Sequence, residues 1–234
     1  AHPMQPTITW HDAATLDVEG RAWENPAAPW TRLPERAKGI VPDPVWQLSR
    51  HSAGITVRFA CDTPTLRVRW TLADTALAMP HMPATGVSGV DLYVRDPRGA
   101  WRFVQNGRPG GAENETVVAL PAGKPAECLL HLPLYNGATS VQIGIASPRR
   151  LLPKPAPRRR PLAVYGTSIA QGGCASRPGM AWPALLGRHL DRPAINLGFS
   201  GNGRMEASVA ALLAEVDPAL WIVDCLWNCD GLPD

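Results

Sequence analysis

LAVYGTSIAQGG, residues Leu162–Gly173, runs from a short apolar stretch into a glycine, a loop of small residues and a second pair of glycines. A buried strand that breaks at glycine and turns into a helix is the opening of a parallel α/β unit. Downstream, MAWPALLGRHL (180–190) and MEASVAALLAEV (205–216) place apolar residues at helical spacing, while AINLGFS (194–200) and LWIVDCLW (220–227) are short apolar runs. The order strand, helix, strand, helix, strand predicts a right-handed parallel sheet. Sites in such sheets form where strand C-termini open into loops.

Upstream the dominant period changes to two. In TLRVRWTL, Leu66, Val68, Trp70 and Leu72 alternate with Thr65, Arg67, Arg69 and Thr71, the pattern of an antiparallel strand with one wet face. The alternation recurs around Ile55, Val57 and Phe59, in VDLYV (90–94), in CLLHL (128–132) and in SVQIGI (140–145). Short strands at this spacing predict a β-sandwich. Asp96-Pro97-Arg98-Gly99 supplies turn residues for a hairpin between VDLYV and WRFVQ.

Between the two patterns lies SPRRLLPKPAPRRRP (147–161), a proline-rich run expected to be an extended, solvated linker. The fold expected is therefore mixed. A β-sandwich covers 1–148, a Pro/Arg-rich linker 149–160, and 161–234 form the N-terminal part of a flavodoxin-like α/β/α domain truncated after its third strand.

The chain is 45% hydrophobic and 18% charged with net charge +3, a globular composition. Arg149, Arg150, Lys154, Arg158, Arg159 and Arg160 account for the excess, leaving 17 basic against 20 acidic groups elsewhere; no nucleic-acid partner is expected. No apolar run approaches the ~18 residues of a bilayer span, so no membrane partner is expected, and the compartment is left open. The five cysteines are scattered without a C-x-x-C pair, and no metal or cofactor is expected. Cys225 and Cys229, four apart, read either as a pair or as small buried hydrophobes. Six of the nine tryptophans fall in the first half, where they fill a core or stack on sugars. His51, His81 and His189 read as loop or solvated histidines, His81 being the better candidate for chemistry.

The loops after the three parallel strands carry Gly166-Thr167-Ser168-Ile169, Ser200-Gly201-Asn202-Gly203 and Trp227-Asn228-Cys229-Asp230. A serine hydroxyl, a glycine amide and an asparagine carboxamide converging there make a set for acyl transfer: a nucleophile, and donors for the oxyanion that develops. Glycine at 201 leaves its N–H open to a substrate oxygen. Each loop also has a plainer reading, as a helix N-cap, a tight turn, or a backbone cap. A phosphate cradle is the further alternative, but neither G-x-G-x-x-G nor G-x-x-x-x-G-K-[ST] appears.

VYGTSIAQGG, INLGFSGNG and WIVDCLWN together resemble the nucleophile, glycine and asparagine blocks of the SGNH (GDSL-type) hydrolase superfamily. With LSRHSAGITVRF, MPHMPATGVSGVDLYV and LPLYNGATSVQIGI, the whole chain resembles the bacterial subgroup in which a jelly-roll-like domain precedes the hydrolase domain. The resemblance implies Ser168 as nucleophile, with the amides of Ser168 and Gly201 and the side chain of Asn228 forming the oxyanion hole. It implies a small-molecule or glycan ester as substrate and no cofactor. An acyltransferase using the same acyl-enzyme, or a carbohydrate-binding protein with a degenerate second domain, are the alternatives.

The sequence departs from the family pattern in three places. Thr167 replaces the Asp of the GDSL signature, which is expected to alter a loop hydrogen bond. Leu226 and Trp227 replace glycines, and Trp227 is expected to narrow the acyl pocket. No Asp is followed three positions later by His, so the catalytic His and Asp are expected from a missing C-terminal segment or a second chain, without which the fragment is expected to be inactive.

Overall fold

The computed structural model describes residues 7–25, 27–121, 125–153 and 159–229; residues 154–158 of the expected linker, and Asp230 of the third loop, lie outside the described residues. Two antiparallel sheets make up most of the N-terminal half. In the first, β1 (Ile8–Asp12), β9 (Ala138–Ala146), β4 (Thr65–Leu72) and β7 (Glu113–Ala119) lie in that order. The second runs β10 (Leu151–Pro153), β3 (Thr56–Cys61), β8 (Ala126–His131), β5 (Val90–Arg95), β6 (Trp101–Gly107), with β2 (Asp17–Glu19) also on β3. Strand β10 falls inside the stretch expected to be a solvated linker: Leu151 and Leu152 pair with Cys61 and Ala60. Extended backbone beside an open strand edge finds ladder partners there.

In β4, Leu66, Val68, Trp70 and Leu72 are buried and Thr65 and Arg69 exposed, as period-2 alternation requires. They meet Val57, Phe59, Leu92, Leu130 and Ile143 in one core between the sheets. Burial stabilises by ~1.5–3 kcal/mol for each large apolar side chain. On the wet face Arg67 and Arg69 both pair with Glu115. Strands β5 and β6 form the expected hairpin, whose turn has Gly99 at φ +84° and the Asp96 carboxylate accepting from the Arg98 and Ala100 amides.

Two helices, α1 (Asp43–Ser49) and α2 (Ala84–Val87), interrupt the sandwich half; the second half carries α3 (Ser168–Gln171), α4 (Trp182–Leu190) and α5 (Ala207–Leu213). Its parallel sheet has the order β12 (Ala194–Gly198), β11 (Leu162–Gly166), β13 (Leu220–Asp224). Gly166 lies level with Gly198 on one side and Asp224 on the other. All three strands thus end at the same height, and their loops leave from one edge.

The halves interlock. Leu33, Ala37, Val41, Val45 and Trp46, from the segment between β2 and β3, share a core with Ala163, Tyr165, Ile195, Leu197 and Phe199 of the parallel sheet and with Val209 and Leu212 of α5. This segment lies within the 1–148 stretch expected to be sandwich, yet it covers one face of the α/β sheet. Arg32, 2% exposed, closes the outer edge of β12: its Nη1 donates to the carbonyls of Asn196 (3.3 Å) and Gly198 (2.5 Å). An unpaired strand edge needs such donors. The outer face of the second sheet packs on the helical layer: Arg188 of α4 bonds His131 Nε2 at 3.0 Å and stacks 4.0 Å from the Tyr93 ring, while buried Asp91 accepts from Arg177 and the Gly179 amide.

Candidate active site

The turn that carries Ser168 begins where β11, buried along its whole length, ends at Gly166. Thr167 is extended, Ser168 opens α3, and Gly172 closes it in the left-handed region at φ +119°. The Ser168 carbonyl accepts from the amides of Gly172 (3.0 Å) and Gly173 (2.7 Å) and from the Tyr135 hydroxyl (3.1 Å). The backbone under Ser168 is therefore held by both halves of the chain. Its half-buried hydroxyl is bonded to no other group among the described residues. Thr167 is buried and its Oγ1 has no hydrogen-bond partner among the described residues, so the hydroxyl that stands for the signature Asp makes no loop bond there.

The glycine loop is a four-residue turn, Phe199 to Asn202, closed by the Asn202 amide on the Phe199 carbonyl at 2.9 Å. Gly201 is its third residue at φ +69°, a value L side chains rarely adopt. A Cβ there would meet nothing within 4 Å, so the backbone angle, and not the packing, selects glycine. At Gly203 (φ +72°) a Cβ would lie 2.2 Å from the Gly166 carbonyl oxygen. The glycine loop thus rests directly on the Ser168 turn, an approach reinforced by the Phe199 amide on the same carbonyl at 2.8 Å.

The third loop is a 3₁₀ turn, Leu226–Asn228. The Asn228 Nδ2 donates to the Asn202 carbonyl at 2.5 Å, which holds the carboxamide against the glycine loop and leaves its second hydrogen free of that bond. The structure therefore joins the Gly201 loop to the Ser168 turn on one side and to Asn228 on the other. Trp227, beside Asn228 on this turn, is 74% exposed. The Cys229 thiol lies 3.2 Å from the Cys225 carbonyl, and neither cysteine is in a disulfide.

Among the described residues no histidine nitrogen is hydrogen-bonded to Ser168. His81 and His189 are exposed, and His131 Nε2 faces Arg188. His51 turns its Nδ1 to the side chain of Gln171 at 3.1 Å. Burial, with the Arg32 charge nearby, pulls the His51 pKa down to about 4. It is neutral near pH 7 and committed to a structural bond. Tyr165, under the glycine loop, accepts from the Met205 amide and donates to Glu206; burial and that carboxylate push its pKa up. Tyr135, Gln171, Arg32 and Tyr165 escape a reading by motif. Each acts through a contact with residues distant in sequence, and only the place of Gln171, three after Ser168 on a helical turn, offers a local signal.

Comparison with known proteins gives a consistent placement. Residues 8–151 match the family model described as the N-terminus of Esterase_SGNH_hydro-type, and residues 159–232 match that of the GDSL-like Lipase/Acylhydrolase family. A Bacteroides ovatus protein described as a GDSL-like lipase superposes with a TM-score of 0.89 at 37% identity, over 95% of this chain and 65% of that one. The salicylyl-acyltransferase SsfX3 from a tetracycline biosynthetic pathway shares the fold, with a TM-score of 0.66 at 22% identity over 94% of this chain and 59% of that one. The chain thus spans less than two thirds of the length of either. A search of curated protein sequences gave no match. With a sandwich half and an α/β half that each match, in order, their counterparts in one type of enzyme, the chain belongs to the SGNH-hydrolase-type esterase family.

Proposed function

We propose that the protein is a serine esterase that cleaves carboxylic esters through an acyl-Ser168 intermediate. The observation that supports this most is the contact of all three strand-end loops: Gly203 against the Gly166 carbonyl, and Asn228 on the Asn202 carbonyl. In this reading the Ser168 oxygen attacks the ester carbonyl while its proton passes to a general base. The oxyanion is held by the amides of Ser168 and Gly201 and by the Asn228 carboxamide. The alcohol leaves with a proton, and water then attacks the acyl-enzyme to release the acid and restore the serine. The D-x-x-H pair that the family resemblance implies is the proposed source of the base. Short acyl groups on carbohydrate hydroxyls are the substrate class put first, by analogy with sandwich domains joined to this catalytic fold.

The test is p-nitrophenyl acetate turnover and fluorophosphonate labelling of the intact gene product. Stoichiometric labelling at Ser168, its loss in S168A, and a drop of ~10²–10³ in kcat for N228A are expected. Unlabelled Ser168 together with unchanged turnover in S168A would overturn the reading. Adding a sugar alcohol to the same assay separates hydrolysis from transfer by product.

A further inference from the structure

Gln171 follows Ser168 by one helical turn and is fully buried. Both of its side-chain polar atoms are engaged. Oε1 accepts from the Ser200 amide at 2.9 Å; Nε2 donates to the Leu134 carbonyl at 3.0 Å and lies 3.1 Å from His51 Nδ1. The orientation admits no flip, because a backbone carbonyl only accepts and a backbone N–H only donates. With Oε1 on Ser200 and one hydrogen on Leu134, the second hydrogen goes to His51, whose Nδ1 must accept and whose proton is therefore on Nε2. The low His51 pKa agrees with a neutral ring there. His51 is itself tethered, its carbonyl accepting from Arg32 Nε at 3.0 Å.

Ser200 directly precedes Gly201 in the four-residue turn. The turn's own bond, Asn202 to Phe199, fixes its shape, and the Phe199 amide on the Gly166 carbonyl fixes where it starts. Side chains grip it at two points, Asn228 at the Asn202 carbonyl and Gln171 at the Ser200 amide next to Gly201, and the Gln171 side chain is anchored on two residues of the N-terminal half. We propose that Gln171 is a positioning residue that aims the Gly201 N–H at the oxyanion, with Leu134 and His51 as its anchors. The N-terminal half is then part of the catalytic apparatus, through the loops that carry these two residues. This rests on the reading of Ser168 and Gly201 given above.

The test uses the intact gene product, with active sites counted by fluorophosphonate so that unfolded protein is excluded from kcat. Q171L is expected to lower kcat for p-nitrophenyl acetate ~10–100-fold, part of the loss for a deleted donor, with KM within about threefold because the acetyl ester makes few ground-state contacts. Amide hydrogen exchange at Ser200 should accelerate in parallel. H51L, which strips only one of the three bonds, should show a smaller loss of the same kind and keeps the test available if Q171L does not fold. H51N, whose amide oxygen can accept in place of Nδ1, should recover kcat to within about threefold of wild type. A Q171L or H51L enzyme that is merely less heat-stable, with wild-type kcat per titrated site and unchanged Ser200 exchange, overturns the positioning role while leaving the esterase reading standing. Absence of turnover and labelling in the wild type overturns both.

Discussion

Replacing Arg32 with methionine removes the guanidinium and keeps most of the aliphatic volume. Four carbonyl bonds go with it: Asn196 and Gly198 on the edge of β12, His51 at 3.0 Å and Leu48 at 2.6 Å. Hydrogen bonds to a charged donor contribute roughly 1.5–3 kcal/mol each, so about 6–12 kcal/mol of interaction is lost. Against this, burial pulls the Arg32 pKa from 12.5 to about 9, which corresponds to roughly 5 kcal/mol of lost hydration that the variant no longer bears. The difference is about 1–7 kcal/mol of destabilisation, with about 4 kcal/mol at its middle, in the range for breaking a buried, fully bonded charge. At ~2–4 °C per kcal/mol for a chain of this size, the midpoint in scanning calorimetry should fall by ~8–16 °C. Arg32→Lys should fall nearly as far, since an ammonium cannot reach carbonyls on both sides of its stem as the planar fork does. A fall under about 2 °C in R32M, or wild-type stability in R32K, would refute the assignment of Arg32 as the closure of the sheet edge.

Three further outcomes are expected. Because the folded His51 pKa lies near 4 against an ordinary 6.5, the unfolded chain takes up a proton first as pH falls. Wild type should therefore lose about 3 kcal/mol relative to H51N between pH 6.5 and 4 and no more below, with the two running parallel above pH 7 in urea titrations; parallel curves down to pH 4 would count against a buried neutral ring. Thr167→Val deletes a buried hydroxyl that has no partner among the described residues, and its melting point should be unchanged or up to about 3 °C higher; a clear drop would mean the hydroxyl is bonded. Gly201→Ala should cost about 1 kcal/mol from its φ of +69° alone, whereas Gly203→Ala adds a 2.2 Å collision with the Gly166 carbonyl and should cost about 3 kcal/mol or more; equal melting points for the two would refute the close-approach argument.

The sandwich strands were legible because each obeys a local rule. TLRVRWTL alternates, and its burial alternates with it. LAVYG is apolar throughout, and every residue of it is buried, as in a strand covered on both faces. The three loops were legible because parallel strands of equal register deliver them to one edge whatever the side chains do. The residues that hold those loops were not. Gln171 and Tyr135 belong to no periodic pattern, and their partners lie 37 and 33 positions away, at Leu134 and Ser168. The stretch from Leu33 to Trp46 was read with the sandwich because it precedes the linker. Nothing in its composition says that its apolar residues find partners more than a hundred positions downstream, since tertiary packing decides which core they join.

That same stretch has a consequence for how such chains can be rebuilt. The α/β half borrows one of its covering layers from residues that precede most of the sandwich strands, so the two halves are not interchangeable cassettes. A chimera spliced at the proline-rich run would graft a sheet without its cover, exposing Ala163, Ile195 and Phe199 to water and inviting aggregation. Productive recombination must carry the early segment together with the late one, two cuts in place of one. During synthesis, too, Trp46 and its neighbours leave the ribosome long before the strands they will cover, and must stay unassembled until those strands arrive.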